Sequence, residues 1–334
     1  MRITLVPLCV VSAVALAGCG KEQPTPGGGF SALPARKGPV VTVASLDAVK
    51  QAKAPYDIVL IVKTRNNPFF RPMIAEFEKT AREMGARPEI QAPPEEMDYE
   101  KQVALVQTEV GKGVRAICIA PADSKGIVPA LVAAQKAGVL IINVDNRIDA
   151  AAARAQRLVS DGYVGADNEA GGRLAGEEML KALNNTGKVA IIEGIRGADN
   201  AEARRRGFTS AVAGKLDVTA SESAEWDTEK AYQKMQNVLA KHSDLKGVFC
   251  ANDKMAVGAM KAIAEAGSKG KLTVVGYDNI PDVQSALASH EMFATIEQHP
   301  DLMGRYAARM AVGVLNGETA RGGDILVPLE AIRK

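Results

Sequence analysis

Aromatic residues are scarce, at 4% of 334, and the chain holds one tryptophan, three histidines and four cysteines. The histidines are scattered at His242, His290 and His299, so no His-Glu-x-x-His zinc helix exists. Neither a Gly-x-Ser-x-Gly elbow nor a Walker-type glycine loop occurs. Hydrolase and kinase chemistry are excluded on those grounds, and no cofactor or metal is expected. Charge of one sign is missing too: 41 Lys+Arg against 39 Asp+Glu leave +2, too little to make nucleic acid a partner. Beyond residue 18 no apolar run approaches the roughly 20 residues that span a bilayer. What is present, 47% hydrophobic and 24% charged residues, is a globular composition, and the length suggests about two domains.

The start of the chain reads as an address. Met1-Arg2 precedes an uncharged apolar stretch from Ile3 to Leu16, closed by Leu16-Ala17-Gly18-Cys19. Residues 1–18 are a secretory signal segment, and the small residues before Cys19 resemble a bacterial lipobox. That resemblance implies lipidation of Cys19 and a lipoprotein held at the membrane by its N-terminal lipid, in the periplasm or cell envelope. A plain signal peptide with an incidental cysteine, or an uncleaved anchor, is the alternative. Residues 19–55 are rich in Gly and Pro and read as a flexible tether, in which Val40–Val43 could form a short strand. Cys118 and Cys250, each inside an apolar run, read as buried small hydrophobes rather than a disulfide.

From Tyr56 short β-rich runs alternate with helical periods. Ile58–Val62, Val114–Ile119 and Val139–Val144 are strand-like, and Phe70, Met73, Ile74, Phe77, Ala81 and Met84 recur at helical spacing between the first two. After residue 165 the pattern starts again with Val189–Glu193, Val248–Ala251, Leu272–Gly276 and Met292–Ile296. The fold class is α/β, with two doubly wound parallel-sheet halves. A helix at about 301–316 and a strand from Ile325 return to complete them.

Ligands of open parallel sheets bind beyond the carboxyl ends of the strands. Those ends carry Lys63, Asn67, Phe69 and Phe70 after the first strand, and Asp145, Asn146 and Arg147 after Val144. In the second half Arg204 follows the glycine-bearing loop after Glu193, and Trp226 lies in a polar turn. Asn252, Asp278 and Gln298 then close three strands. Carboxylates and amides pair with vicinal hydroxyls, and aromatic faces cover the C–H faces of a ring. The set suits a small neutral polyhydroxylated ligand and suits a phosphorylated one poorly. Each Asx residue has a second reading as a helix N-cap, and the phenylalanines and Trp226 a second reading as core or lid.

Asn66-Asn67-Pro68-Phe69-Phe70, Val144-Asp145, Arg204-x-x-Gly207-Phe208, Cys250-Ala251-Asn252-Asp253, Gly276-Tyr277-Asp278 and Thr295-Ile296-x-Gln298 occur in that order. In this the chain from Tyr56 onward resembles the periplasmic sugar-binding proteins of the ribose- and allose-binding type, the substrate-capturing components of ABC importers. The resemblance implies a type I two-lobe protein with three hinge crossings, near 165–167, 298–300 and 322–325. Its first lobe would comprise 56–166 plus 299–323, and its second 167–298 plus 324–334. It implies a monosaccharide in the interlobe cleft, stacked on Phe70 and Trp226, its hydroxyls bound by Asp145, Arg204 and Asp278. Asn67, Phe69 and Asn252 would join them, with Gln298 at the hinge. An ABC permease would be the partner, and the protein would act as a monomer.

Ribose-type members carry Arg directly after the aspartate matched by Asp145; this chain has Asn146 there and Arg147 one residue later. Lys63, the stretch 148–160 and Glu193-Gly194 look more like the allose subgroup, which tilts the ligand toward a hexose. Sugar-responsive repressors share the two-lobe body but need a helix-turn-helix where this chain has a signal segment. A sensory role, presenting a polyol or furanone-type signal to a chemoreceptor or sensor kinase, stays open.

Overall fold

The computed structural model describes residues 41–334; the signal segment, Cys19 and the first part of the tether lie outside the described residues. The chain runs α1 (Val43–Asp47), β1 (Asp57–Ile61), α2 (Phe70–Glu83), β2 (Arg87–Gln91), α3 (Tyr99–Lys112), β3 (Ala116–Ile119), α4 (Val128–Lys136), β4 (Leu140–Val144), α5 (Ala150–Ala155) and β5 (Gly162–Gly165). It then crosses to α6 (Asn168–Ala182), β6 (Lys188–Glu193), α7 (Asp199–Val212), β7 (Asp217–Ser223), α8 (Thr228–Lys241), β8 (Leu245–Cys250), α9 (Asp253–Glu265), β9 (Thr273–Tyr277), α10 (Gln284–Ala288) and β10 (Ala294–Glu297). Last come α11 (Pro300–Asn316), β11 (Asp324–Leu326) and β12 (Glu330–Ile332).

Among the described residues these strands form two six-stranded sheets, β11-β5-β4-β3-β1-β2 and β12-β10-β9-β8-β6-β7. Every pairing is parallel except that of β12 with β10. In each sheet the order turns back at one place, between β1 and β3 and between β6 and β8, which opens a crevice at the carboxyl ends there. The central strands β3 and β4 are buried along their whole length and apolar but for Asn143, as strands covered by helices on both faces are. On α2 the buried Phe70, Met73, Phe77 and Ala81 make the stripe that packs on the sheet. Cys118 and Cys250 are buried and unpaired, and burial pushes both thiols up.

The chain passes between the sheets after β5, after β10 and after β11. The strand at Ile325 pairs with β5 in the first sheet, so the third crossing falls between β11 and β12, not at 322–325. The first-lobe sheet therefore includes Asp324–Leu326, which the sequence reading placed in the second lobe. Where the sequence left open a short strand over 40–43, residues 43–47 form a helix whose start Thr42 and Ser45 cap reciprocally. The segment from residue 41 to 55 is also docked rather than a tether. Leu46 is fully buried, Arg309 donates to the Leu46 carbonyl (3.1 Å), and Asn316 Oδ1 accepts the Lys53 amide (3.0 Å).

The helix pair that carries part of the second lobe's site is held close by glycine. A Cβ on Gly172 of α6 would run into the backbone carbonyl of Arg204 on α7, and one on Gly207 would strike the Glu169 carbonyl. Since both neighbours are backbone, neither can step aside. Gly172→Ala should therefore cost about 1–3 kcal/mol of stability, the usual penalty of overpacking. Urea unfolding with an unchanged denaturant slope would read this loss; an unchanged midpoint would show that the helices can separate freely.

Candidate functional site

The carboxyl ends of the two sheets face each other, and side chains from both line one small cavity. Lys63, Asn67, Phe69, Phe70, Asp145, Arg204, Trp226, Asn252, Asp278 and Gln298, all singled out in the sequence, line it. Glu96 and Asn200 line it too, and the sequence reading did not find them. Glu96 follows β2, whose half-buried, Pro-containing sequence has no apolar run; had that strand been recognised, the strand-end rule would have reached Glu96. Asn200 opens α7 and carries no signal of its own.

Two expected residues are elsewhere. Asp145 turns left-handed (φ 59°), and the chain beyond it leaves the cavity. Asn146 is fully buried beside it, its amide donating to the Pro121 carbonyl (2.9 Å) and to Ser124 Oγ (3.1 Å). Arg147 lies over the Tyr163 ring (3.6 Å to its centroid) and pairs with Asp324 at 2.8 Å, half exposed. Neither lines the cavity: Arg147 is held by first-lobe partners, and Asn146 by Pro121 and Ser124 of the first lobe and by the Asn200 amide of the second (3.1 Å).

On the first-lobe side, Asn67 Oδ1 accepts the Phe69 amide (3.1 Å), and Asn67 Nδ2 donates to Glu96 (2.7 Å). This loop sets Phe69 and Phe70 edge to face, with centroids 5.1 Å apart. Lys63 Nζ stands 3.4 Å from Asp145 Oδ2, both buried. Burial is the main force raising the Glu96 carboxyl above its ordinary range, opposed by the Lys63 charge and the Asn67 bond.

On the opposite side, Trp226 sits in a turn where both it (φ 64°) and Glu225 (φ 54°) are left-handed. A bulky residue there is strained. The turn is held by the Ala224 amide on the Glu193 carbonyl (2.9 Å) and by Ser223 Oγ on the Gly194 carbonyl (2.6 Å). The indole lies so close to Gly194 that a Cβ at that position would overlap its ring. Arg204 donates from Nε to Asn168 (2.8 Å) and from Nη1 to the Ala251 carbonyl (2.8 Å), and stacks on Tyr277 at 3.7 Å. Its Nη1 is 3.6 Å from Asp278 Oδ1, which also accepts from Gln298 Nε2 (2.7 Å). Burial drives Asp278 well above the ordinary carboxylate range, with Arg204 opposing it. Asn252 both caps α9, accepting the Met255 amide (2.9 Å), and lines the cavity, so the two readings of that residue are compatible.

Two polar atoms at this site are buried without a protein partner: the Trp226 indole nitrogen, a donor, and Gln298 Oε1, an acceptor. Three carboxyl groups and two cations line the cavity, with Lys63 beside Asp145 on one lobe and Arg204 beside Asp278 on the other. The arrangement can hold a neutral ring between aromatic faces while donors and acceptors engage its rim. Among the described residues no cluster of His, Cys, Asp and Glu is arranged to hold a metal, and no helix is long and apolar enough to cross a membrane.

A family model described as a periplasmic binding protein domain matches residues 58–319, so this chain belongs to the periplasmic binding protein family. Within that family it is similar to the D-ribose/D-allose-binding protein of Pseudomonas aeruginosa, 34% identical over 281 residues, covering 82% of this chain and 88% of that protein. The D-allose-binding periplasmic protein of Escherichia coli is 34% identical over 274 residues, covering 81% and 88%. An ABC-transporter solute-binding protein of Actinobacillus succinogenes, solved with bound D-allose, superposes with a TM-score of 0.79 at 37% identity, covering 84% of this chain and 98% of that one.

Directly behind the site, the buried Asp253 accepts the Tyr277 amide (2.9 Å), the Ile280 amide (3.1 Å) and the Thr295 hydroxyl (2.9 Å), tying α9 to β9 and β10. Burial nevertheless pushes its pKa up to about 7 from 3.8. The folded chain thus keeps a proton that the unfolded chain releases. The stability linked to it is full below the unfolded value and is lost as pH rises through about 7. Asp253→Asn removes the titration, so its stability relative to the parent chain should improve as pH rises from about 4 to about 7 and stay level above, on top of a pH-independent cost of placing its NH2 against an N–H donor. Unfolding free energies of both chains from about pH 4 to pH 9 test this; a difference that is the same at every pH would place the proton elsewhere.

Proposed function

We propose that this chain is the extracytoplasmic substrate-binding lipoprotein of an ABC importer, capturing a monosaccharide, an allose- or ribose-like hexose or pentose, between its lobes. The observation that carries the reading is the convergence of Phe70 and Trp226 with paired hydrogen-bonding groups from both sheets on one small cavity. The ring stacks between those two aromatic faces. Asp145, Arg204 and Asp278 bind hydroxyls, with Lys63, Asn67, Asn252 and Gln298 completing the set. The partnerless Trp226 nitrogen and Gln298 Oε1 suit a ligand that both accepts and donates. The names of the Pseudomonas and Escherichia relatives and the D-allose in the Actinobacillus protein support a sugar of this class. Lys63, the stretch 148–160 and Glu193-Gly194, which look more like the allose subgroup, favour the hexose. A lipid on Cys19 holds the protein at the membrane, where an ABC permease takes its cargo from the closed lobes.

Thermal melting against aldoses, ketoses and polyols tests the ligand class. The right sugar at about 100 times its dissociation constant adds about 2.7 kcal/mol, a shift of several degrees. Silence across the aldoses with a hit among the polyols would favour the sensory reading. Trp226→Ala should weaken binding of the identified sugar by about 1–3 kcal/mol in calorimetry, through lost aromatic contact; unchanged affinity would remove Trp226 from the site. Cys19→Ser should move the protein from the membrane fraction to the soluble one, and retention in the membrane would overturn the lipid anchor.

A further inference from the structure

Asn146 faces two ways. Its Nδ2 is used within the first lobe, on the Pro121 carbonyl and Ser124 Oγ, whereas its Oδ1 accepts the backbone N–H of Asn200 in the second lobe at 3.1 Å. Ser124 Oγ accepts a second N–H across the cleft, that of Asp199, at 3.3 Å. Both side chains are buried, Asn146 completely and Ser124 at 2% exposure, and neither lines the cavity.

Asp199 and Asn200 are the first two residues of α7. The opening N–H groups of a helix have no acceptor within it, and the residue before them here, Ala198, has no side chain that could cap them. The first lobe therefore supplies from across the cleft the acceptors that α7 lacks. On the same helix Asn200 and Arg204 line the cavity.

We propose that Asn146 and Ser124 form an interlobe latch: they cap α7 only when the lobes are together, so closure is stabilised by contacts no ligand makes. Asn146 is then a positioning residue. Its Oδ1 holds the second lobe rather than facing the cavity. The inference rests on the two-lobe binding reading, but not on which ligand is bound. Contacts made only by the closed lobes lower every ligand's dissociation constant by one common factor, because that factor belongs to the closing equilibrium. They also act after docking, so they slow release rather than speed capture.

Asn146→Ala and Ser124→Ala in the full chain test the latch. With each sugar that shifts the melting curve, Asn146→Ala should weaken binding by the same factor, about 3- to 30-fold, carried by faster release. Ser124→Ala should do likewise to a smaller extent, and it decides the matter if Asn146→Ala fails to fold. A change in the ratio of affinities between two sugars would overturn the proposal, since it would mean that Asn146 touches the ligand. So would unchanged affinities in both variants. Spin labels, one on each lobe, read the closed fraction with no sugar added. A silent sugar panel would thus sink the sugar reading and leave the latch tested: Asn146→Ala must deplete the closed distance of the parent chain, and identical distributions would overturn it.

Discussion

The site is organised around a buried guanidinium. Arg204 is almost without solvent, and a charge in that position is tolerable only if every direction supplies a partner. Asn168 at the start of α6, the Ala251 carbonyl at the end of β8, the Tyr277 face and the Asp278 carboxylate at the end of β9 are those partners. One side chain therefore sets the relative positions of three strand and helix ends. Its own position is dictated by backbone contact, because glycine at 172 and 207 lets α7 lie directly on α6. Removing the partners would leave a charge that water cannot reach, so this corner of the second lobe is rigid.

That rigidity explains why strain collects around the cavity. Asp145, Trp226 and Asp278, all lining it, adopt positive φ, a conformation that costs most for a residue as bulky as tryptophan. Each is over-determined by its surroundings: Asp145 by Lys63, Trp226 by Gly194 and the bonds of its turn, Asp278 by Arg204 and Gln298. The result is a preformed set of ring faces and hydrogen-bonding edges whose charges nearly balance within the wall. Such a wall discriminates by unpaired partners more than by attraction, since a ligand lacking one hydroxyl leaves a buried polar atom with nothing.

The two residues after Asp145 support it from outside the cavity. Asn146 turns away from the cavity, and Arg147 buttresses Tyr163, whose hydroxyl in turn bonds the Asp145 carbonyl at 2.8 Å. The residues next to Asp145 thus secure its conformation and its link to the second lobe, and Asp145 itself lines the cavity.

Much of the fold could be read directly. The runs at 58–62, 189–192 and 248–251 are continuous and apolar, and 139–144 is broken only by Asn143, because central parallel strands are buried on both faces, and a burial of that kind leaves a local pattern. Edge strands leave none: β2 reads Arg-Pro-Glu-Ile-Gln and β7 is half-exposed and polar, so both passed unseen, and Glu96 with them. The sequence by itself determined the two α/β halves, the chemistry available at the strand ends and ten of the residues that meet there, because each depends on residue type and on order along the chain. Only the tertiary structure decided that residues 41–55 dock on α11, that β11 completes the first sheet, and that Asn146 and Arg147 turn from the cavity. Those outcomes depend on which distant group is close enough to satisfy a buried polar atom, and no local pattern carries that distance.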